Sequence, residues 1–193
     1  YPEKGGPIGD QGFISNEHGS FHVTQTLSPI DHLIVHQGQL VDGTLSSGDK
    51  ITASVDHAFR KAITRAHTAT HLLHVALKGV LGDYVNQAGS WIEPDYFRFD
   101  FNALRALSDA EIVQLEDSVN KIISKGIYVC AQDMSFQEAI EDGATALFKE
   151  KYGEQVRVVS IESISKELCG GIHTQNTCEV RLFRILNESS IGS

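Results

Sequence analysis

The spacing of apolar residues changes along the chain and separates a strand-rich beginning from a mixed remainder. Up to about residue 56, short runs of β-forming residues are interrupted by turns rich in glycine, asparagine and aspartate. The predicted strands are 21–23, 32–36 and 50–55. Strands this close together, with no helical pattern between them, predict a small β-barrel in the first part of the chain.

The remainder of the chain combines helical and strand patterns. Apolar residues at helical spacing predict a helix over about 59–81, and capping-box pairs predict two more helices that begin after Ser108 and Ser135. Further strands are predicted at 127–133, 156–161 and 178–186. Because strands and helices do not alternate strictly, we expect an α+β fold, with the small N-terminal β-barrel followed by an antiparallel sheet packed with helices.

This change of pattern places a predicted boundary near residue 58. Residues 1–58 form the predicted N-terminal β-barrel portion, which contains a glycine-rich segment, and residues 59–193 form the predicted core. The glycines between Gly5 and Gly12 lack a surrounding strand–turn–helix unit, so they are not a dinucleotide-binding fingerprint. They are expected either as turn and bulge glycines or as a loop whose backbone closes one side of a pocket.

Composition and charge limit the classes of function. With 41% apolar and 21% charged residues the composition is that of an ordinary globular protein, and no apolar run approaches the roughly 20 residues that span a membrane. We expect a cytoplasmic protein, because no secretory leader is present and three cysteines do not suggest a disulfide framework. The first residue is Tyr1 rather than methionine, from which we expect a piece of a longer protein. The net charge of -9 is evidence against an autonomous nucleic-acid-binding module.

The strongest chemical signal is a pair of histidines, His67 and His71, in the first predicted helix. Residues four apart lie on one helix face, so both imidazoles can reach a single metal ion. An isolated pair of this kind is more often solvated or hydrogen-bonded. Cys169 and His173 follow on a short glycine-rich loop, and one thiolate with three imidazoles makes a plausible tetrahedral zinc set. The sequence therefore predicts a zinc site.

The histidine-bearing helix is expected to have two unlike faces. At 100° per residue, His67, Thr70, His71 and His74 fall within an arc of about 100°, while the opposite side is aliphatic. One face is therefore expected to pack in the core and the other to line a site. The first histidine is not followed by glutamate, so the helix lacks the general base of the H-E-x-x-H metalloproteases, and we expect no peptidase activity.

Several motifs, in a fixed order, carry a family resemblance. These motifs are the glycine-rich segment 5–12, the histidine segment 65–73, Gln87–Ser90, the aromatic stretch 97–101 and Leu168–His173. Together they resemble the editing domain of alanyl-tRNA synthetase, and free-standing alanyl-tRNA editing proteins carry similar motifs. The editing domain of threonyl-tRNA synthetase has a similar histidine and cysteine arrangement, without an obvious counterpart of the opening glycine-rich stretch. The resemblance extends over nearly the whole chain.

The resemblance implies roles for individual residues. The implied zinc ligands are His67, His71, Cys169 and His173. Thr70 and Gln87 are the implied catalytic and substrate-binding residues, with Thr70 reading the substrate's hydroxyl group. The backbone of the glycine-rich segment is expected to contribute to substrate binding at Gly5, Gly6 and Gly9. From the residues alone, Thr70 could instead bond its own helix backbone and Gln87 could be a turn residue. Ile172 and Cys178 depart from the family pattern, where threonine and a small residue are more usual.

The implied function is proofreading, by hydrolysis of seryl- and glycyl-tRNA(Ala), as an aminoacyl-tRNA deacylase within an alanine–tRNA ligase. The implied partners are mischarged tRNA(Ala) and the aminoacylation and C-terminal domains of the same synthetase chain, with no membrane partner. Two alternatives stay open: a free-standing editing factor, and a non-catalytic RNA-binding module stabilised by zinc. If all four ligands bind the zinc at once, no coordination position is open and the metal has a structural role.

Overall fold

The computed structural model describes residues 1–30, 32–147 and 152–190. These residues form a mixed α+β fold with antiparallel sheets, as the sequence predicts. In chain order the strands are β1 (Gly12–Ser15), β2 (Gly19–Ile30), β3 (Leu33–Gly43), β4 (Thr52–Val55), β5 (Gln87–Ile92), β6 (Phe97–Phe101), β7 (Val129–Ser135), β8 (Gln155–Ile161) and β9 (Ser165–Leu168). The helices are α1 (His57–Leu81), α2 (Asp109–Ser124) and α3 (Phe136–Glu141), with a 3-10 turn at Thr177–Val180.

The first four strands form one antiparallel sheet in the order β3-β2-β1-β4. The predicted closed barrel is not confirmed, because within the described part of the chain no ladder joins the two outer strands, β3 and β4. β3 is exposed along nearly all of its length. The sheet is therefore open, and one of its edges is not covered by the rest of the described chain.

The longest helix, α1, begins two residues before its predicted start. The side chain of Asp56 accepts hydrogen bonds from the backbone N–H groups of Ala58 and Phe59, which caps the first turn. The helix ends at Gly82, whose φ of 114° is accessible mainly to glycine. Both sides of the helix are buried: Leu72 is 0% exposed and His74 is 1% exposed. The polar stripe is thus enclosed within the fold as completely as the aliphatic one.

The main hydrophobic core lies where α1 packs against α2 and the sheet β7-β8-β9. The predicted capping boxes are confirmed, because Ser108 and Glu111 bond reciprocally at the start of α2, and Ser135 and Glu138 do so at the start of α3. Leu115 of α2 is completely buried in this core. The core holds β9 beside α1, and the loop that follows β9 begins at Cys169.

The prediction of a strand at 178–186 is wrong. Residues 177–180 form a 3-10 turn that is capped by Asn176, and residues 181–190 belong to no strand. The backbone N–H of Phe183 donates to the side chain of Asn120, and that of Ile185 donates to Glu116. Side chains of α2 therefore satisfy backbone groups that the prediction assigned to a neighbouring strand.

No helix in the described part of the chain is both long enough and apolar enough to cross a membrane.

Candidate metal centre

The structure brings the four predicted metal ligands together. His67 and His71 lie one turn apart on α1, and Cys169 and His173 lie on the loop that follows β9. One potential ligand atom from each residue lies within 4.8 Å of those of the other three. About 100 residues separate the helix from the loop, so only the tertiary fold forms this cluster.

The distances within the cluster suit a metal ion. The Sγ atom of Cys169 lies 3.5 Å from Nε2 of His67 and 3.4 Å from Nε2 of His173. In a tetrahedral zinc site with bonds of about 2.0–2.3 Å, neighbouring ligand atoms are about 3.3–3.8 Å apart. One thiolate and three imidazoles are also ligand types that zinc prefers. The cluster can therefore hold a metal ion and is compatible with zinc.

Each of the three histidines has its Nδ1 atom against a hydrogen-bond acceptor. Nδ1 of His67 lies 3.1 Å from the carbonyl oxygen of Ile172, and Nδ1 of His173 lies 3.3 Å from Oγ1 of Thr68. Nδ1 of His71 lies 2.7 Å from Oε2 of Glu167, in a bent contact. An imidazole that carries its proton on Nδ1 offers Nε2 as the metal ligand. These contacts therefore favour the ring tautomer that a metal ion needs.

Thr68 links the loop that carries Cys169 and His173 to α1 through hydrogen bonds, although it was not among the predicted site residues. Its hydroxyl donates to the carbonyl oxygen of Thr64, as a helix threonine often does. The same oxygen accepts a hydrogen bond of 3.1 Å from the backbone N–H of Thr174, next to His173. Thr68 is completely buried. Nothing in its sequence position distinguishes it from the other threonines of this helix.

Two further buried residues, Glu167 and His74, were also not predicted as site residues. Glu167 is 4% exposed and lies between His71 and His74. Two signals in the sequence point to them: His74 belongs to the polar stripe, and Glu167 lies two residues before the predicted ligand Cys169.

The surroundings set the charge states of the cluster. Burial alone would raise the pKa of Cys169, but the charge of His67 and hydrogen bonds from the neighbouring histidines lower it well below its usual value. Burial, together with the charge of His67, lowers the pKa of His173 to about 3. Burial would also lower the pKa of His71, but the Glu167 carboxylate and Cys169 raise it to about 10. These shifts favour a thiolate at Cys169 and a neutral imidazole at His173, the forms that bind metals, whereas His71 would release a proton on binding one.

The predicted substrate-binding side chains lie on α1 and β5. Thr70 is 4% exposed, and its hydroxyl donates a 2.7 Å hydrogen bond to the carbonyl oxygen of His67. This is the bond to its own helix backbone that the sequence offers as the alternative to a substrate contact. Its oxygen keeps lone pairs that can accept a further hydrogen bond. Gln87 is half-buried at the start of β5, opposite Phe101 of β6. β5 itself packs against α1.

The glycine-rich segment lies along the other end of β5. The backbone N–H of Ile92 donates to the carbonyl oxygen of Gly6, and that of Ile8 donates to Ile92. A Cβ atom on Gly6 would lie 2.4 Å from Oγ of Ser90, and one on Gly9 would lie 1.9 Å from the carbonyl oxygen of Thr26. Gly5 is exposed, with open space around its Cα atom. Gly9 is therefore required for close backbone approach, and Gly6 has a φ of 114° that is accessible mainly to glycine, which agrees with the turn-and-bulge interpretation and is compatible with a pocket wall.

Tyr1 connects this segment to the metal cluster. Burial and the negative charges of Cys169 and Asp10 raise the pKa of the Tyr1 phenol. The backbone carbonyl of Tyr1 accepts a hydrogen bond from the N–H of Asp10, which closes the segment on itself. The Tyr1 phenol is therefore within electrostatic range of Cys169.

Comparison with known proteins agrees with this architecture. Residues 156–193 match the family model of the threonyl and alanyl tRNA synthetase second additional domain, and residues 1–59 match that of class II (A) tRNA synthetases. Over all 193 residues the chain is 48% identical to the alanine–tRNA ligase of Thermotoga maritima. The resemblance to alanyl-tRNA synthetase is confirmed. Over the same length the chain is 47% identical to the alanine–tRNA ligase of Fervidobacterium nodosum and 45% identical to that of Clostridioides difficile. It spans 22% of the length of each of these ligases.

Proposed function

We propose that this chain is the editing region of an alanyl-tRNA synthetase and hydrolyses seryl- and glycyl-tRNA(Ala). One observation carries the proposal: a buried cluster of three histidines and one cysteine lies in a chain that aligns along its whole length with alanine–tRNA ligases. We assign zinc to this cluster. The relatives are more than four times as long as the chain, which favours a segment of a synthetase over a free-standing editing factor.

The need for such an activity follows from the limits of substrate selection. A pocket shaped for alanine cannot fully exclude glycine, which is smaller, and it rejects the added hydroxyl of serine only weakly. Loss of one methylene is worth only about 1–3 kcal/mol of discrimination. A second site that hydrolyses the wrong esters recovers the accuracy that the first site lacks.

The proposed second site distinguishes the esters by polar recognition. A group placed to bond the serine hydroxyl would be left unpaired by alanine, at a cost of about 1–3 kcal/mol. Thr70 is our candidate for this contact, because its oxygen can accept a hydrogen bond while its proton bonds to His67. Gln87 carries both a donor and an acceptor and lies on the strand that packs against α1.

An aminoacyl ester is already activated, so its hydrolysis depends mainly on a positioned water molecule and a polarised carbonyl group. Zinc would supply Lewis acidity and a water of lowered pKa only if one of its four ligands left a coordination position open, and it would otherwise shape the pocket. His67, His71, Cys169 and His173 hold the ion in this proposal. The segment between Tyr1 and Gly12 excludes water from one side of the pocket, and its backbone at Gly5, Gly6 and Gly9 contributes to substrate binding.

We propose a domain boundary after residue 58, between the barrel-like portion, residues 1–58, and the zinc-binding editing core, residues 59–193. The proposed partners are mischarged tRNA(Ala) and the remaining domains of the synthetase chain, in the cytoplasm. A net charge of -9 supports the view that most affinity for tRNA resides in those other domains.

A second candidate is a non-catalytic RNA-binding module that zinc stabilises. The observation that favours it is the complete set of four protein ligands, which is typical of structural zinc sites. The acidic net charge argues against it, because affinity for RNA depends on lysine and arginine. Under this alternative, chelation unfolds the chain and zinc-loaded protein leaves aminoacyl esters intact.

The decisive experiment incubates the zinc-loaded chain, and a full-length synthetase that contains it, with seryl-, glycyl- and alanyl-tRNA(Ala). We expect rapid release of serine and glycine and slow release of alanine, measured as the decay of each charged tRNA. Equal decay with and without the full-length protein would refute the proposed activity. Decay with the full-length protein alone would place the tRNA-binding determinants outside this chain.

A further inference from the structure

One buried carboxylate, that of Glu167, contacts two histidines at the metal cluster. Its Oε2 lies 2.7 Å from Nδ1 of His71, and its Oε1 lies 3.2 Å from Nδ1 of His74. Glu167 is 4% exposed, His71 is 4% exposed and His74 is 1% exposed. A carboxylate is stable in such a place only when charged or hydrogen-bonded partners compensate for its lost hydration.

The fold fixes the position of this carboxylate from both sides. His71 and His74 are three residues apart on α1, so their rings point from the same helix face. Glu167 lies on β9, where it pairs with Val159 of β8 and forms an isolated bridge with Thr145 on its other side. A single side chain from the sheet can therefore reach both rings, and neither backbone segment is free to move it.

The chemistry of the three Nδ1 acceptors differs. His67 faces a backbone carbonyl group and His173 faces the Thr68 hydroxyl, which are neutral, whereas His71 faces a carboxylate. An ionised carboxylate accepts hydrogen bonds and cannot donate them, so it enforces a proton on Nδ1 of His71 and leaves Nε2 for a metal. The Thr68 hydroxyl can also only accept here, because its proton bonds to Thr64, but it carries no charge to stabilise the proton on Nδ1 of His173.

His74 completes the arrangement. Its Nδ1 bonds to Glu167, and its Nε2 has no hydrogen-bond partner within the described residues. It is not a member of the four-residue cluster. The polar contact of the buried His74 ring is therefore with Oε1 of Glu167. This contact holds the carboxylate so that its Oε2 atom faces His71.

We propose that Glu167 is a positioning residue that orients His71 for metal binding, and that His74 in turn holds the Glu167 carboxylate. The proposal rests on the metal site of the proposed function and is independent of the deacylation reaction. It predicts that both residues act on the affinity and geometry of the metal, without being ligands themselves.

The experiment measures Zn²⁺ affinity of the whole chain by competition with a chromophoric chelator. We expect Glu167→Gln to weaken Zn²⁺ binding by about 10–100-fold, because an amide lacks the charge and cannot accept bonds from both histidines at once. The matched control is Glu162→Gln, an exposed residue just before β9, which should leave the affinity unchanged. Far-UV circular dichroism of each variant checks that it is folded.

A second pair of variants decides the case if Glu167→Gln does not fold. In His74→Phe the aromatic ring fills the space of the imidazole but has no hydrogen-bond donor for Glu167, so this variant should bind Zn²⁺ several-fold more weakly. In His74→Gln the side chain again has an N–H donor for Glu167, so part of the lost Zn²⁺ affinity should return. In Co²⁺-loaded protein, the visible absorption bands report the ligand geometry, and they should shift in Glu167→Gln and His74→Phe but not in Glu162→Gln.

The outcomes separate this proposal from the proposed function. Folded Glu167→Gln and His74→Phe variants that bind Zn²⁺ within twofold of the parent chain, with unchanged Co²⁺ spectra, would overturn it. A parent chain that binds Zn²⁺ but hydrolyses no ester would refute the proposed reaction and leave this test intact. A parent chain that does not bind Zn²⁺ would overturn both.

Discussion

Gly171 lies directly against the imidazole of His67: a Cβ atom built on Gly171 would be 2.0 Å from Cε1 and 2.6 Å from Nδ1 of that ring. Since real Cβ atoms do not approach other atoms this closely, only glycine lets the loop pass His67 at this distance. The neighbouring Gly170 is different, because nothing lies within 4 Å of a Cβ atom at that position. Two adjacent glycines in one motif therefore have unlike structural roles.

The difference between Gly170 and Gly171 predicts different effects for the same substitution at the two positions. Gly171→Ala should displace the ring of His67 and weaken Zn²⁺ binding by about tenfold or more, since second-sphere changes at metal sites commonly have effects of this size. Gly170→Ala is the matched control and should bind Zn²⁺ nearly as the parent does. Competition with a chelator measures both. Similar affinities for the two variants would contradict the close packing of Gly171 on His67.

The two cysteines near the end of the chain offer a second matched pair. Cys169→Ala removes the only sulfur ligand of the cluster, so we expect loss of bound zinc and loss of serine release from mischarged tRNA(Ala). Cys178 is exposed and lies outside the cluster, so Cys178→Ala should retain both. Elemental analysis and a deacylation assay make the comparison. Full activity of a zinc-free Cys169→Ala variant would remove the metal from the reaction.

Thr70→Val tests how serine is recognised. Valine keeps the shape of threonine but cannot accept a hydrogen bond, so hydrolysis of seryl-tRNA should slow by about tenfold relative to alanyl-tRNA, in line with about 1–3 kcal/mol for one lost polar contact. Thr64 provides the control, because its hydroxyl makes the same kind of local bond, to the carbonyl oxygen of Lys61. Thr64→Val should leave the ratio of the two rates unchanged. If Thr70→Val also leaves it unchanged, Thr70 has only the local role seen in the helix.

Stability is expected to depend on acid pH through Asp10. Burial would raise the pKa of this carboxyl group, but hydrogen bonds from the Arg60 guanidinium group lower it below its ordinary value of 3.8. A depressed pKa in the folded state contributes stability above the unfolded-state pKa, and this contribution is lost as the pH falls through the folded-state pKa.

We therefore expect Asp10→Asn to reduce the free energy of unfolding by about 1–3 kcal/mol near pH 7, and this deficit to shrink as the pH falls below about 4. Urea unfolding at several pH values measures it. Asp83→Asn, at an exposed turn after α1, is the control for a change of one charge. A deficit that stays constant down to pH 2 would show that the Asp10 carboxylate is not the source of the stability.

Local sequence signals predict most of the helices well. The capping boxes at Ser108 and Ser135 are local, because the bonds they make lie within four residues, and both helices form as predicted. The strand predicted at 178–186 fails for the opposite reason. Its apolar residues suit a strand, but a strand needs a partner, and side chains of α2 bind this backbone instead.

The predicted barrel illustrates the same limit. Three of the four strands are readable from turn residues and β-forming residues, whereas β1 was not predicted. Closure depends on whether the first and last edges of the sheet meet. In the described residues, β3 and β4 remain at opposite edges. Most strands were therefore predictable, whereas the shape of the sheet was not.

The four candidate metal ligands could be identified without the fold, because histidines four residues apart on a helix must share a face and the cysteine loop supplies complementary ligand types. The support that Glu167, His74 and Thr68 give them is visible only in the folded chain. Their contacts join α1 to residues about 90–105 positions away, and no periodic pattern encodes which buried side chain of a strand meets which turn of a helix. That pairing depends on the packing of β9 against α1, which the whole core fixes together.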